Sequence, residues 1–142
     1  MTDTIVFTRG VPQPEAFPTE ELSACFEAAL HGDPTVVLQY GQQPGYAPLR
    51  CELAGEYGVS EQEVLVGNGS LQLLDLISAR LIQPGMTVFT EQPSYDRAII
   101  TFRRRGARVV GVQLEEDGIS IERLEAALNR DVPAFVYLVP DF

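Results

Sequence analysis

Residues 64–72 read Val64-Leu65-Val66-Gly67-Asn68-Gly69-Ser70-Leu71-Gln72. The apolar start predicts a short strand, the glycines predict a tight turn, and a helix is predicted from Ser70 to Leu81. Glycines let the backbone approach a phosphate group, and the free N–H groups at a helix start point at it, so this order predicts an anion site. The Ser70 hydroxyl can donate to the phosphate or cap the helix. Taken alone, the stretch is also explained by a plain turn with a serine cap, since it has neither the P-loop pattern nor Gly-x-Gly-x-x-Gly.

Strands and helices alternate along the rest of the chain, after an extended arm at residues 1–17. Further helices are predicted from Thr19 (as the N-cap) to Gly32 and at Leu49–Tyr57, Tyr95–Arg104 and Ser120–Leu128, and further strands at Thr87–Thr90, Arg108–Val112 and Ala134–Val139. This alternation indicates βαβ units. The predicted fold class is therefore α/β, with an N-terminal arm and helices followed by part of a mainly parallel sheet that helices flank.

The composition excludes several classes of partner. The sequence has 142 residues, is 45% hydrophobic and carries a formal net charge of −10. Binding to nucleic acid needs a basic face that displaces counterions, so this charge argues against nucleic acid and against an anionic membrane surface. No apolar run approaches the length of a membrane span, and the N-terminus lacks the pattern of a signal peptide. The sequence predicts a cytoplasmic protein that binds neither nucleic acid nor membranes.

Few side chains could serve as a nucleophile, a general base or a metal ligand. Cys25 and Cys51 fall at apolar positions of predicted helices, which predicts buried free thiols. No spacing of cysteine and histidine suits zinc, so no metal site is predicted. The single histidine, His31, lies where a helix ends, and imidazole can meet the last carbonyl groups there. One histidine and no lysine do not favour a self-contained hydrolase.

Tyrosines accompany the predicted anion site. Tyr95 follows the strand at residues 87–90, so we expect it at the same sheet edge as Ser70, where its ring could stack on a flat cofactor. The alternative is a tyrosine at a helix start with a solvated hydroxyl. A second cluster upstream contains Tyr40, Tyr46 and Arg50. Arg50 could form an ion pair or could be solvated.

Taken together, five segments resemble the fold type I pyridoxal-phosphate enzymes, specifically the class I/II aminotransferases of the aminoadipate and MocR-like branch. The segments are Phe7–Pro12 with Phe17-Pro18, Leu38–Tyr40 with Gly45–Arg50, Gly69–Gln72 with Leu74–Leu76, Pro84-Gly85 with Glu91–Tyr95, and Tyr137–Phe142. The second is similar to the family's Gln-Tyr…Gly…Pro-Leu-Arg, and the third is similar to its Gly-Ser-Gln-Gln-Ala-Leu-Asp-Leu phosphate turn. Each motif alone is unspecific, whereas five in family order are specific.

The resemblance implies a pyridoxal 5'-phosphate cofactor and residues that hold it. The turn at Gly69, the backbone N–H groups of Ser70 and Leu71, and the Ser70 hydroxyl would bind the phosphate. Tyr95 would stack on the pyridine ring. Leu71 stands where the family commonly has glutamine, which is compatible with a contact through the backbone.

The resemblance also implies a homodimer with shared sites. Tyr40 would reach the phosphate of the neighbouring subunit's cofactor. Gly10 and Tyr46 would lie near the substrate, which in this family is an amino acid or a 2-oxo acid. Arg9 stands where the family usually has a small residue. Arg50 belongs to the family pattern, and we expect a structural role for it.

The lysine on which the family's chemistry depends is missing. All 10 residues of the lysine and arginine class are arginine. In the family, the lysine that holds the cofactor lies beyond the point that matches Phe142. We therefore expect a chain truncated at its C-terminal end, with residues 1–34 as arm and first helix and residues 35–142 as a partial cofactor-binding large domain. Such a chain has no catalytic residue and is expected to be inactive alone, whereas its parent would be an aminotransferase.

Two alternatives stay open at this point. One is a different pyridoxal-phosphate reaction on the same fold, such as that of a lyase, oxidase or decarboxylase, because the matching segments hardly separate these from transamination. The other is a non-catalytic protein, either a remnant that binds a phosphorylated ligand or the effector domain of a MocR-like regulator. A regulator should carry a basic helix-turn-helix domain upstream. The matching segments do not identify the substrate.

Overall fold

A computed structural model describes residues 12–140 of the chain. The chain divides into two compact units, Met1–Leu65 and Val66–Phe142. The described part of the first unit is helical, and the second unit contains a sheet. The domain boundary predicted after residue 34 stays a prediction. None of the helices at residues 12–140 is long and apolar enough to cross a membrane.

Three helices form the described part of the first unit. α1 spans Thr19–Gly32, α2 spans Pro34–Val37 and α3 spans Ala47–Tyr57, with single 3-10 turns at Pro14–Ala16 and Glu61–Glu63. α3 ends at Gly58 as predicted, and the φ of 65° there is one that glycine adopts without strain. The predicted N-cap of α1 is wrong by one residue. Thr19 is already helical, because the carbonyl oxygen of Pro18 accepts the first helical hydrogen bond from Leu22 N at 3.0 Å.

The prediction of buried thiols is wrong, since Cys25 and Cys51 are both exposed. Leu22 and Phe26, which share the apolar stripe of α1 with Cys25, are 62% and 66% exposed. The stripe has the helical period that predicts α1, but no element among residues 12–140 covers it. An amphipathic pattern identifies the face that a helix can bury, and burial also needs a partner.

The second unit is an α/β arrangement around a four-stranded sheet. Its elements are α4 (Ser70–Leu81), β1 (Thr87–Gln92), α5 (Asp96–Arg104), β2 (Arg108–Glu115), β3 (Gly118–Ile119), α6 (Ile121–Leu128) and β4 (Val136–Tyr137). The strand order is β3-β2-β1-β4. β1 is parallel to β2 and to β4, whereas β2 and β3 form an antiparallel hairpin. The predicted α/β class with a mainly parallel sheet is confirmed.

The structure corrects three strand assignments. Val64–Val66 is not a strand, because no strand among the described residues pairs with it. The short strand β3 is not in the sequence prediction, because two residues after a turn carry no alternating pattern. β4 pairs only at Val136–Tyr137 instead of over Ala134–Val139. Two helix starts shift by one residue, since Tyr95 and Ser120 are the N-cap residues of α5 and α6.

The core of the second unit lies between β1 and the helices that flank it. It is formed by Ile82, Val88, Ala98, Phe102 and Ala107, with Leu74, Val109, Phe135 and Tyr137 packed against them. The ring of Phe102 meets Phe135 and Tyr137 edge to face, with centroids 5.3 and 5.4 Å apart. These edge-to-face contacts fix α5 against β4, and Val88 of the same core joins α5 to β1. The loop between β1 and α5 is thereby held at the end of the central strand.

Candidate functional site

The turn before α4 depends on its glycines. At Gly69 the backbone has φ = 95°, a conformation that side-chain-bearing residues rarely adopt. A Cβ added at Gly67 would lie 2.6 Å from Leu73 Cδ2, so only glycine fits there unless Leu73 moves. A Cβ at Gly69 would meet no atom within 4 Å, and the space above the turn is therefore open. The turn brings bare backbone to an open surface, as a phosphate site requires.

The start of α4 presents its first N–H groups without a cap. The first helical hydrogen bond runs from Leu73 N to Gly69 O at 3.3 Å, and no side chain among residues 12–140 caps this end. Gln72 instead turns back, and its Oε1 accepts from Asn68 N at 2.7 Å. Ser70 and Leu71 are exposed. Uncapped N–H groups and the positive end of a 12-residue helix fit an anionic group, so these residues are suited to a cofactor phosphate.

Tyr95 follows the carboxyl end of the central strand β1. β1 ends at Gln92 and α5 begins at Asp96, so Tyr95 lies in the short connection between them. In open α/β sheets ligands bind at this edge. Tyr95 is 50% exposed at the N-cap of α5, which leaves part of its ring free to stack on a flat group. The structure thus places Tyr95, with its half-exposed ring, where the chain leaves the carboxyl end of β1.

The other predicted site residues lie elsewhere in the chain. Tyr40, in the first unit, is 96% exposed, and its backbone N–H donates to its neighbour Gln39 Oε1 at 3.0 Å. Tyr46 is the N-cap residue of α3 and is 47% exposed. Gly10 and Arg9 lie outside the described residues.

Arg50 has a structural environment. Its Nε donates to Val64 O at 3.0 Å, and its Nη2 donates to Glu61 O at 2.5 Å. Nη1 lies 3.3 Å from Glu61 Oε1. Arg50 is only 9% exposed, and all three nitrogens of its guanidinium have partners within the first unit. Its role is therefore to hold the backbone after α3 in place.

Two further polar residues, to which the sequence pattern gave no role, lie near the end of β1 and in the loop after it. Glu91 is 6% exposed within β1, and its carboxylate accepts from Val139 N at 2.9 Å. The Ser94 hydroxyl oxygen is buried and has no partner among the described residues. A charged residue inside a run of strand residues is the signal that could have identified Glu91.

The electrostatics of this edge involve Tyr137 as well. Burial raises the pKa of the Tyr137 phenol above its ordinary value, and the nearby Tyr95 and Glu91 act in the same direction. The three side chains are therefore within electrostatic reach of one another. A separate cavity of about 640 Å³ lies between β2 and α6, where Arg123 and Arg130 line it, and it includes neither Ser70 nor Tyr95.

Comparisons with known proteins identify the family of this chain. A family model described as aminotransferase class I and II matches residues 7–139. The chain is 42% identical over 136 residues to a 2-aminoadipate transaminase of Thermus thermophilus, which covers 96% of this chain and 34% of that protein. It is 29% identical over 147 residues to an uncharacterized HTH-type transcriptional regulator of Bacillus subtilis, covering 99% of this chain and 30% of the regulator.

A solved structure is similar over nearly the same range. The crystal structure of alpha-aminoadipate aminotransferase from Thermus thermophilus, complexed with N-(5'-phosphopyridoxyl)-L-leucine, has a TM-score of 0.89 and 42% identity. The match covers 94% of this chain and 34% of that chain. The chain spans about a third of the length of the curated relatives it matches.

Proposed function

Because the chain belongs to the class I and II aminotransferases, we propose that the protein containing it is a pyridoxal-phosphate-dependent aminotransferase. It would transfer an amino group between an amino acid and a 2-oxo acid. The observation that carries the proposal is the uncapped start of α4 behind Gly69. We propose that Tyr95, which follows the end of β1, lies beside it. The 42% identity to a 2-aminoadipate transaminase supports the reaction class.

The residues of this chain would bind and orient the cofactor. The N–H groups of Ser70 and Leu71 would donate to the phosphate, with the Ser70 hydroxyl as a further donor. Tyr95 would cover one face of the pyridine ring and exclude water from it. Bound pyridoxal phosphate supplies the aldehyde that accepts the amino group and a ring that withdraws electrons.

The remaining roles concern a second subunit and the substrate. We propose a homodimer in which Tyr40 reaches the phosphate bound by the partner subunit, and in which Gly10 and Tyr46 lie near the substrate. Exposure of Tyr40 and Tyr46 leaves both rings free for such contacts. The lysine that the chemistry needs is not among these 142 residues, and we propose that other residues of the complete protein supply it. The cytoplasmic location stays a prediction.

The test uses the protein expressed from its complete reading frame. We expect purified protein to bind pyridoxal phosphate and to transaminate 2-aminoadipate or another amino acid with a 2-oxo acid acceptor. Borohydride reduction followed by peptide mass spectrometry should place the cofactor on a lysine outside residues 1–142. A reading frame without lysine, or a reduced adduct on this chain other than at its N-terminal amine, would contradict the proposal.

Two other functions remain as outcomes of the same assays. Consumption of an amino acid without amino transfer would indicate a lyase, oxidase or decarboxylase on this fold. The similarity to the regulator of Bacillus subtilis supports a regulatory effector domain as the second candidate. A helix-turn-helix domain in the complete reading frame, together with operator binding and no transamination, would favour that candidate.

A further inference from the structure

A buried carboxylate lies close to the end of the central strand. Glu91 is 6% exposed, and among residues 12–140 no arginine or histidine side chain forms an ion pair with it. A buried charge without an ionic partner costs free energy unless hydrogen bonds compensate. Glu91 is therefore not simply a solvated charge at the surface of a strand, and its burial needs another explanation.

The partner of Glu91 is the backbone of the neighbouring strand. The parallel ladder between β1 and β4 pairs Phe89 with Val136 and Thr90 with Tyr137, and then stops. Beyond that point the Glu91 carboxylate accepts from Val139 N at 2.9 Å, across 48 positions of sequence. A side chain thus replaces the ladder where backbone pairing has ended. It fixes the course of the chain as it leaves β4.

This link lies at the edge that carries the candidate cofactor site. Glu91 is the second-last residue of β1, and Tyr95 follows at the start of α5. Residues that leave the carboxyl end of a parallel strand are the ones that reach a ligand at this edge. The position of the segment after Tyr137 relative to Tyr95 therefore depends on what holds Val139.

We propose that Glu91 is a positioning residue, which holds Val139 so that residues 138–140, where the chain leaves β4, lie against the cofactor bound beside Ser70 and Tyr95. The inference rests on the proposed function. Glu91 touches neither cofactor nor substrate in this role. For this role the side chain at position 91 must place an acceptor oxygen within hydrogen-bond distance of Val139 N, which a side chain as long as glutamate does. The negative charge is less important.

Two variants of the complete protein distinguish the effect of side-chain length at position 91 from the effect of its charge. Glu91→Gln keeps the side-chain length and an acceptor oxygen but removes the charge. Glu91→Asp keeps the charge but is shorter by one methylene, so its carboxylate cannot span the present distance to Val139 N. Glu115→Asp, at the exposed end of the neighbouring strand β2, is the matched control for shortening.

Hydrogen exchange, cofactor affinity and steady-state kinetics of these variants test the proposal. Hydrogen exchange of the peptide that contains Val139, in the cofactor-free protein, should rise in Glu91→Asp and stay near wild type in Glu91→Gln. The Kd for pyridoxal phosphate should rise about tenfold in Glu91→Asp, as the loss of one hydrogen bond implies, and less than about threefold in Glu91→Gln, which keeps the bond. With excess cofactor, kcat should fall in Glu91→Asp while KM for the amino acid changes little.

Opposite results overturn the inference. If Glu91→Asp behaves like wild type and Glu91→Gln loses cofactor affinity, the charge matters and the reach does not. If exchange at Val139 rises while Kd and kcat are unchanged, the link is structural only. A wild-type protein that binds no pyridoxal phosphate would overturn the proposed function itself, whereas the other two failures leave that function standing.

Discussion

Arg50 and Val64 are joined by a hydrogen bond from the guanidinium Nε to the backbone carbonyl oxygen, 3.0 Å long. The same guanidinium donates from Nη2 to Glu61 O. One side chain of α3 therefore supplies donors to two backbone carbonyls in the segment that precedes the glycine turn. The family pattern at Arg50 is thus explained by the local fold, without any contact to a ligand.

We expect Arg50→Met to lower the free energy of unfolding by about 2–4 kcal/mol, because two backbone carbonyl oxygens lose the donors of a nearly buried side chain. Urea denaturation of the protein followed by circular dichroism measures the change. Arg80→Met, at an exposed position of α4, is the control and should cost less than about 0.5 kcal/mol. Equal losses in both variants would argue against a special role for Arg50.

Ser70→Ala should weaken the binding of pyridoxal phosphate about tenfold, since one hydrogen bond to a charged group is lost while the backbone donors remain. Isothermal titration of the cofactor-free protein gives the Kd. Ser23→Ala, on the exposed surface of α1, should leave the Kd unchanged. An unaltered Kd in Ser70→Ala would mean that the Ser70 hydroxyl does not contact the phosphate.

Tyr95→Ala should raise the Kd for the cofactor by about threefold to tenfold, because stacking contacts are worth roughly 0.5–1.5 kcal/mol. Tyr95→Phe keeps the ring and should bind nearly as tightly as wild type. Tyr57→Ala removes a tyrosine that is 71% exposed and serves as the control. If Phe is as poor as Ala at position 95, the hydroxyl rather than the ring makes the contact.

The ion pair between Asp75 and Arg105 predicts a pH dependence. Arg105 Nη2 lies 2.5 Å from Asp75 Oδ2, and this hydrogen bond holds the pKa of Asp75 below its ordinary value of 3.8. A carboxylate with a lowered pKa stabilises the fold above its unfolded pKa, and the contribution is lost as the pH falls through its folded pKa. Denaturation of wild type and Asp75→Asn should therefore differ above about pH 5 and converge in strong acid. A difference that grows towards low pH would contradict the pairing, and Asp117→Asn, in the exposed turn between β2 and β3, is the control.

Phe102→Ala should lower the free energy of unfolding by about 3–5 kcal/mol, because it removes a fully buried ring that packs against two others. Phe26→Ala is the matched control, since Phe26 is 66% exposed. Chemical denaturation with detection by circular dichroism compares the two. A loss of similar size for Phe26 would mean that the stripe of α1 is covered in solution.

Much of the secondary structure could be predicted because its signals are local. The start of α4 at Ser70 follows from the glycine turn, and the end of α3 follows from Gly58. The predictions that were wrong concern strand pairing and burial, which depend on partners elsewhere in the chain that a local sequence pattern does not identify. Val64–Val66 has the composition of a strand but no strand to pair with, and Cys25 lies on an apolar stripe that nothing among the described residues covers.

The candidate site was predictable to a similar extent. The glycine turn before a helix led to Ser70, and the end of a strand led to Tyr95; that the two share one site stays a prediction. Glu91 could not be assigned a partner, because its hydrogen bond joins residues 48 positions apart. The roles of Tyr40, Tyr46 and Gly10 stay predictions, since they depend on a cofactor, a substrate and a second subunit.

The strand order also bears on how the protein is made. β1 lies between β2, which follows it closely, and β4, which leaves the ribosome much later. Until β4 has been synthesised, the backbone N–H and C=O groups on that side of β1 have no strand to pair with. Non-local pairing of this kind slows folding and favours contacts between unfinished chains. β1 is the central strand and gives the site its rigid edge. The nascent chain can complete its pairing only after Val136 and Tyr137 have been synthesised.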